Sequence, residues 1–376
     1  MRITTQLINA VTGFHLWSHT YDRDLGDVLK LETEIADAVA SALKVHLLGD
    51  VVTKIELGGT RNPAAFDAYL RGSKAFNEFH NAKDLETAIA ADTEAIRLDP
   101  NFALAFAGRS QALVRYAAEF AGGPTVHESY DKARADAQQA LALASGLGEG
   151  HLALGDFFAY GSLDFPRANE EYERAAVQAP GSARVLRNYG LFAVYMGHTQ
   201  PGIAALRRAV VLDPLNHNSH NSLGEALYVT RQYKDALAAF QDALALEPDD
   251  PESTAYPGLV HYARGNFKSA RTSCEVKPNS WQSQLCLAVT YDKLGRHADA
   301  EAAFAKMRAA YGDNATFQYV EINAQWGNTT EALGWLDKAM GTRDPGLIEL
   351  KLDPLLDSLR QSPRFQAIER ELKFPH

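Results

Sequence analysis

The chain has 376 residues, 46% of them hydrophobic, with a formal charge of −10 and an isoelectric point near 5.7. That balance excludes general affinity for nucleic acid or anionic membrane, which need a basic footprint, and favours a basic or mixed-charge protein partner. No run approaches the ~18 uninterrupted apolar residues of a membrane span, and polar TTQ follows Met1, Arg2 and Ile3 in place of a signal peptide's apolar run, so a soluble cytoplasmic protein is expected.

The chain begins RITTQLINAVTGFHLWSHTYDRDL. Ile3, Thr5 and Leu7 alternate with polar neighbours, and β-type residues resume after a turn at Thr12 and Gly13, which predicts a hairpin. An isolated two-stranded hairpin is marginal in water, so this one needs a third strand, a helix or a second copy. The following segment, DVLKLETEIADAVASALKVHLL, predicts an amphipathic helix with Val28, Leu31, Ile35, Val39 and Leu43 on one face. Residues 49–63 read as a linker, loosened by Gly58 and Gly59 and restarted at Asn62 and Pro63.

A period of 34 residues then governs the chain. Pro180, Pro214 and Pro248 recur at that spacing, as do Ala168, Gly202, Ala236 and Ala270, and Gly190, Gly224 and Gly258. The clearest unit, residues 217–248, reads HNSHNSLGEALYVTRQYKDALAAFQDALALEP. It divides at TRQY into two stretches with helical apolar spacing, which must pack antiparallel. Backbones approach closely only where a side chain is tiny, so Gly224 and Ala236 mark the crossing, with Leu223, Leu227 and Phe240 filling the grooves beside it. A glycine inside a helix costs about 1 kcal/mol against alanine, and its periodic return needs a packing cause. The closing proline has no amide to continue the ladder and ends the second helix.

These small, large and proline positions resemble the tetratricopeptide repeat. The resemblance implies an all-α fold: a right-handed α-solenoid of helix pairs, here preceded by the small β-hairpin and helix. Extending the register predicts about eight units over residues 64–345. The unit at residues 183–214 departs mildly, with Gly202 where alanine is usual, and the sixth is irregular. There Pro257 falls inside the first helix, the second is cut short at CEVKPN, and a kink or a change of superhelical pitch is expected over residues 251–280. Residues 346–376 predict a cap covering the apolar face of the last unit, with Ser362 capping a short amphipathic helix that has Pro363 at its first position. Residues 1–48 resemble the closing part of the TolB-like module that precedes tetratricopeptide arrays in bacterial adenylate-cyclase-associated proteins. The resemblance implies that the hairpin is the remnant of a larger αβ domain; the alternative is a short private β-arm that packs on the first repeats.

No motif for catalysis appears: no phosphate loop, no GxSxG elbow, no HExxH. The chain is therefore read as non-enzymatic, with no cofactor and no metal. GLGEG at residues 146–150 follows no strand and reads as an interhelical turn; Glu170 and Glu171 read as solvated helix surface. His217 and His220 have no evident third ligand, and His15 and His19 stand about 13 Å apart along a strand. Cys274 and Cys286 belong to no CxxC pair and read as small buried apolar residues, in keeping with a reducing compartment.

What remains is binding. In the resembled family the first helix of each pair lines a concave groove, which implies that Arg184, Arg187, Asn218, Asn221, Glu225 and Tyr228 face a protein or peptide partner. Arginine can fork onto a carboxylate and asparagine can bond both groups of an extended backbone, so these residues predict a peptide clamp in a bacterial signalling scaffold. Against it stands a structural reading in which Arg184 and Arg187 are merely solvated or paired with Glu225. The alternative function is a self-associating module, a homo-oligomer joined through the hairpin edge.

Overall fold

The computed structural model describes residues 2–8, 15–22, 31, 34, 35, 38, 57–79 and 81–374. Strands β1 (Arg2–Ile8) and β2 (His15–Asp22) form an antiparallel two-stranded sheet, in register from Arg2 opposite Asp22 to Leu7 opposite Trp17, with an irregularity between Leu7 and Ile8. The expected turn at Thr12 and Gly13 lies outside the described residues. Leu31, Glu34, Ile35 and Ala38 are helical, and Tyr21 and Leu31 are buried.

Seventeen helices follow among the described residues. The first sixteen form eight consecutive pairs: α1 (Pro63–Asn77) with α2 (Ala82–Leu98), α3 (Ala103–Glu119) with α4 (Pro124–Leu143), α5 (Gly148–Asp156) with α6 (Phe165–Gln178), and α7 (Ala183–Tyr195) with α8 (Thr199–Leu212). Then come α9 (His217–Val229) with α10 (Tyr233–Leu246), α11 (Pro251–Ala263) with α12 (Phe267–Cys274), α13 (Trp281–Lys293) with α14 (His297–Tyr311), and α15 (Thr316–Gln325) with α16 (Thr329–Thr342). The seventeenth, α17 (Pro363–Leu372), lies in the C-terminal segment. Helix starts carry local signals: Asn62 caps α1 ahead of Pro63, Asp250 caps α11 ahead of Pro251, and Ser280 caps α13. Ser362 stands at the cap position of α17, but its hydroxyl makes no capping bond.

Small residues sit where backbones cross. Gly224 lies under Phe240, where a Cβ would come within 2.7 Å of the ring. Gly190 and Gly202 meet each other, so the glycine that breaks the repeat pattern is more than a mild departure: a Cβ on Gly202 would lie 2.5 Å from the Gly190 carbonyl oxygen and 2.7 Å from Val194. Gly202→Ala is accordingly expected to destabilise the chain by about 1–3 kcal/mol through overpacking, read as a lower urea midpoint. An unchanged midpoint would mean that α7 and α8 do not touch through their backbones.

The sixth pair is irregular in its second helix. Helix α11 continues through Pro257, whereas α12 has only 8 residues. The shortened helix brings Cys274 to Cys286 on α13, and the two form a disulfide with Cα atoms 6.1 Å apart. This corrects the reading of two separate thiols, and a reducing compartment has no support from the cysteines. Gly258 lies directly beneath, with no room for a Cβ beside either sulfur. Glu171 also differs from expectation: it is buried, with one carboxylate oxygen 2.6 Å from His151 and the other accepting from Arg174 at 2.7 Å. No helix among the described residues is long and apolar enough to cross a membrane.

Candidate functional site

The concave side of the solenoid is not empty. After α16 the chain makes 310 turns at Pro345–Glu349 and Pro354–Leu359, then α17, burying Leu347, Leu350, Leu356, Leu359, Phe365 and Ile368 completely or nearly so. It covers the last pair as a cap would, with Arg364 bonded to Asp337 of α16 at 2.7 Å. It also runs back across the array. Lys351 donates to the Met196 carbonyl of the fourth pair at 2.9 Å, Arg231 of the fifth grips both oxygens of Asp357 at 2.7 and 2.8 Å, and the ring of Phe374 lies 4.8 Å from that of Phe165 in the third. One apolar core consequently runs from Leu113 to Phe374.

Arg231 has its own backbone signal. Gly197, Gly265, Gly295 and Gly327 occupy the turn inside the fourth, sixth, seventh and eighth pairs with φ of 96°, 76°, 73° and 80°. In the fifth pair that position is Arg231, at φ 62°, a left-handed conformation that a side chain disfavours by roughly 1 kcal/mol or more. The charge-assisted bonds from one guanidinium nitrogen to both oxygens of Asp357 offset the strain and tie the C-terminal segment to the fifth pair.

First helices of distant pairs converge on this interior, as their electrostatics show. Glu252 of the sixth pair feels the Arg115 guanidinium of the second, and Tyr160 feels Glu225 and Glu349. The predicted clamp residues fall into three groups. Arg184 and Arg187 are half-buried on α7, and neither makes an ion pair or hydrogen bond with another described residue, Glu225 included. Burial, reinforced by the neighbouring charges of Arg115 and Arg184, pushes the Arg187 guanidinium down to about 10. Asn218 is half-buried on α9. Asn221 is 3% exposed, donates to Glu252 at 2.8 Å and accepts from Ser253 at 3.2 Å, so both ends of its amide join the fifth pair to the sixth.

Glu225 and Tyr228 belong to a separate chamber. Glu225 accepts from the Tyr195 hydroxyl, and burial pushes its carboxyl up to about 7. Tyr228 is 3% exposed, and its hydroxyl has no hydrogen-bond partner. Around them stand Tyr256 and Leu259 of α11, Trp281 and Leu285 of α13, Glu321 of α15, and Glu349 and Asp353 of the C-terminal segment. Burial drives the Glu321 and Glu349 carboxyls well above the ordinary range, and neighbouring acids add to it. Asp353 is pushed up to about 6 by burial, although the Leu355 amide and Arg360 pull the other way. Arg115, Arg184 and Arg187 stand in the second and fourth pairs, where Arg115 pairs with Glu119 at 2.8 Å, and the chamber acids come from the fifth and eighth pairs and the C-terminal segment. Sequence reasoning missed Glu321, Glu349 and Asp353 because two of them come from beyond the repeats.

Among the described residues the histidines hold no metal-like arrangement. His220 bonds the Pro214 carbonyl at 3.0 Å and lies 3.8 Å from Asp242, and no cluster of His, Cys, Asp or Glu among the described residues is grouped to bind a metal. Of residues 146–150, Gly146 and Leu147 belong to the interhelical turn, whereas Gly148, Glu149 and Gly150 already form the first turn of α5.

A family model described as tetratricopeptide repeat matches residues 193–251, and one described as anaphase-promoting complex, cyclosome, subunit 3 matches residues 229–307. A putative adenylate cyclase 3 from Rhizobium meliloti (strain 1021) is 31% identical over 110 residues, a match spanning 29% of this chain and 19% of that protein. Among solved structures, pilF of Pseudomonas aeruginosa is 19% identical with a TM-score of 0.41, covering 57% of this chain and 97% of its own. The human IFIT1 dimer with PPP-AAAA is 14% identical with a TM-score of 0.49, covering 85% and 90% respectively.

Proposed function

From a chain that carries tetratricopeptide repeats, we propose a non-enzymatic scaffold that holds an extended protein segment by its carboxylates, in the part of the groove that the chain's own C-terminal segment leaves open. One observation supports this above the rest: Arg184 and Arg187 stand together on α7 with no acid of the described chain bonded to either. A partly buried guanidinium with acids nearby but none bonded to it leaves its donors unmet, and a carboxylate from outside would satisfy them through paired, charge-assisted hydrogen bonds. Asn218, on the adjoining first helix, can bond the backbone of the same segment. The reading includes a setting, a regulatory part of a bacterial signalling protein in the cytoplasm, for which the name of the Rhizobium relative, a putative adenylate cyclase, supports only the link to signalling.

The test is retention of partner proteins on the immobilised full chain and on the Arg184→Ala, Arg187→Ala double variant. The expected result is at least a tenfold loss, since each truncated charge-assisted pair typically costs about 1.5–3 kcal/mol. Undiminished retention by the variant would remove the arginine clamp. A second reading is favoured by the two-stranded sheet, whose outer edges pair with no other strand among the described residues. Such edges invite a second copy. Concentration-dependent sedimentation, abolished by a proline in β2, would establish self-association in place of partner capture.

A further inference from the structure

We propose that the chamber between α9, α11, α15 and the C-terminal segment is a binding site for a primary ammonium group. Four carboxylic acids line it: Glu225, Glu321, Glu349 and Asp353. Among the described residues, no lysine or arginine forms an ion pair with Glu225, Glu321 or Glu349. Buried acids in that condition either keep their protons or take up a cation. An independent feature points to an occupant. The Tyr228 hydroxyl is buried against this space without any partner, and its oxygen can accept from a bound donor.

Size and shape narrow the ligand. The free volume is about 20 Å³, enough for one water-sized group. An ammonium head fits that space and a planar guanidinium does not. Its three donors can meet the Tyr228 oxygen and two of the carboxylates. The carboxylates are not grouped as metal ligands. Glu321 and Glu349, which burial drives well above the ordinary carboxyl range, hold protons when the chamber is empty, so entry of the ammonium group displaces protons into solvent and affinity rises with pH.

The ammonium group could belong to a free alkylamine or to a lysine side chain, and the experiment separates the two. Heats of binding are measured for the full chain at pH 8 with n-butylamine, with a short neutral peptide containing one lysine, with its acetyl-lysine counterpart and with potassium chloride at matched ionic strength. Saturable binding of butylamine with release of protons is expected, weakened at least tenfold in Glu321→Gln, Glu349→Gln and several-fold in Tyr228→Phe. Binding of the lysine peptide as well as butylamine assigns the group to a partner's lysine; binding of butylamine alone assigns it to a free amine. The proposal is overturned if potassium chloride reproduces the response, if the acetylated peptide binds as well as the lysine peptide, or if the double glutamine variant binds butylamine as tightly. The glutamine variants preserve shape and remove buried charge, so they are expected to fold. None of these arms touches Arg184 or Arg187, so failure here leaves the arginine clamp standing.

Discussion

Phe365→Ala is expected to destabilise the chain by about 3–5 kcal/mol, the cost of emptying a fully buried aromatic site. Phe365 belongs to the same apolar core as Phe165 of the third pair and Leu336 of the eighth, so the loss falls on more than one repeat. Solenoid stability normally sums over neighbouring repeats, and a terminal helix influences only the unit beside it. Here the segment spans the array: Lys351 and Arg231 tie it to the fourth and fifth pairs, and Arg364 ties it to the eighth. Hydrogen exchange on the variant should therefore show amides of α6 and α9 losing protection along with those of α16. Loss confined to α16 and α17, or a total effect below about 1 kcal/mol, would reduce the segment to a simple cap of the last repeat.

The repeat itself could be read from the sequence because its contacts are short in range. A proline every 34 residues ends a helix, and a glycine at a crossing such as Gly224 reports the ring of Phe240 packed upon it. Periodicity carries only these neighbour contacts. Asp357 and Arg231 are 126 residues apart, and Lys351 reaches Met196 across 155. Nothing periodic announces either bond. One irregular signal was nevertheless present: Arg231 stands 34 residues from Gly197 and from Gly265, at a turn that favours glycine. A side chain kept there against backbone preference implies a contact that needs it. The disulfide was similarly concealed, since it depends on the four residues missing between the Ala270 and Ala300 positions, which shorten α12 until Cys274 meets Cys286. Asn221 has the register of a groove residue, but its amide is taken by Glu252 and Ser253 of the adjoining pair, a choice that side-chain chemistry makes after the helices are placed.

The acidic interior leads to the second large effect: thermal and urea stability should fall as pH rises from about 4 to about 8. Burial pushes Glu225 up to about 7, Glu252 up to about 8 and Asp344 and Asp353 up to about 6, and drives Glu321 and Glu349 well above the usual carboxyl range. Asp92, its carboxylate wedged between Gly72 and Gly108, is pushed up to about 8 by burial despite Arg184 and Arg109 nearby. In the unfolded chain all of these ionise near pH 4. Between that point and the folded values, the native state holds protons that the unfolded state has released, so each further rise in pH favours unfolding. The contribution is fully present below the unfolded value and is lost as pH rises through the folded ones. Arg115, Arg360 and the Tyr195 hydroxyl, which face the same acids, moderate the effect without reversing it. Asp357 works in the opposite direction: burial raises its carboxyl, but Arg231 and Arg360 hold it below the usual range, so its share of stability is lost on acidification below pH 4. Each tenfold change in proton affinity is worth about 1.4 kcal/mol, and with seven carboxyls displaced upward the difference between pH 5 and pH 8 is expected to reach at least about 3 kcal/mol. Urea midpoints measured across that range test it, with Glu321→Gln, Glu349→Gln as the comparison. The variant should be the more stable protein at pH 8 and differ least at pH 5, because glutamine cannot ionise. A wild-type midpoint that is flat or rises with pH would show that these carboxyls are ionised in the native chain.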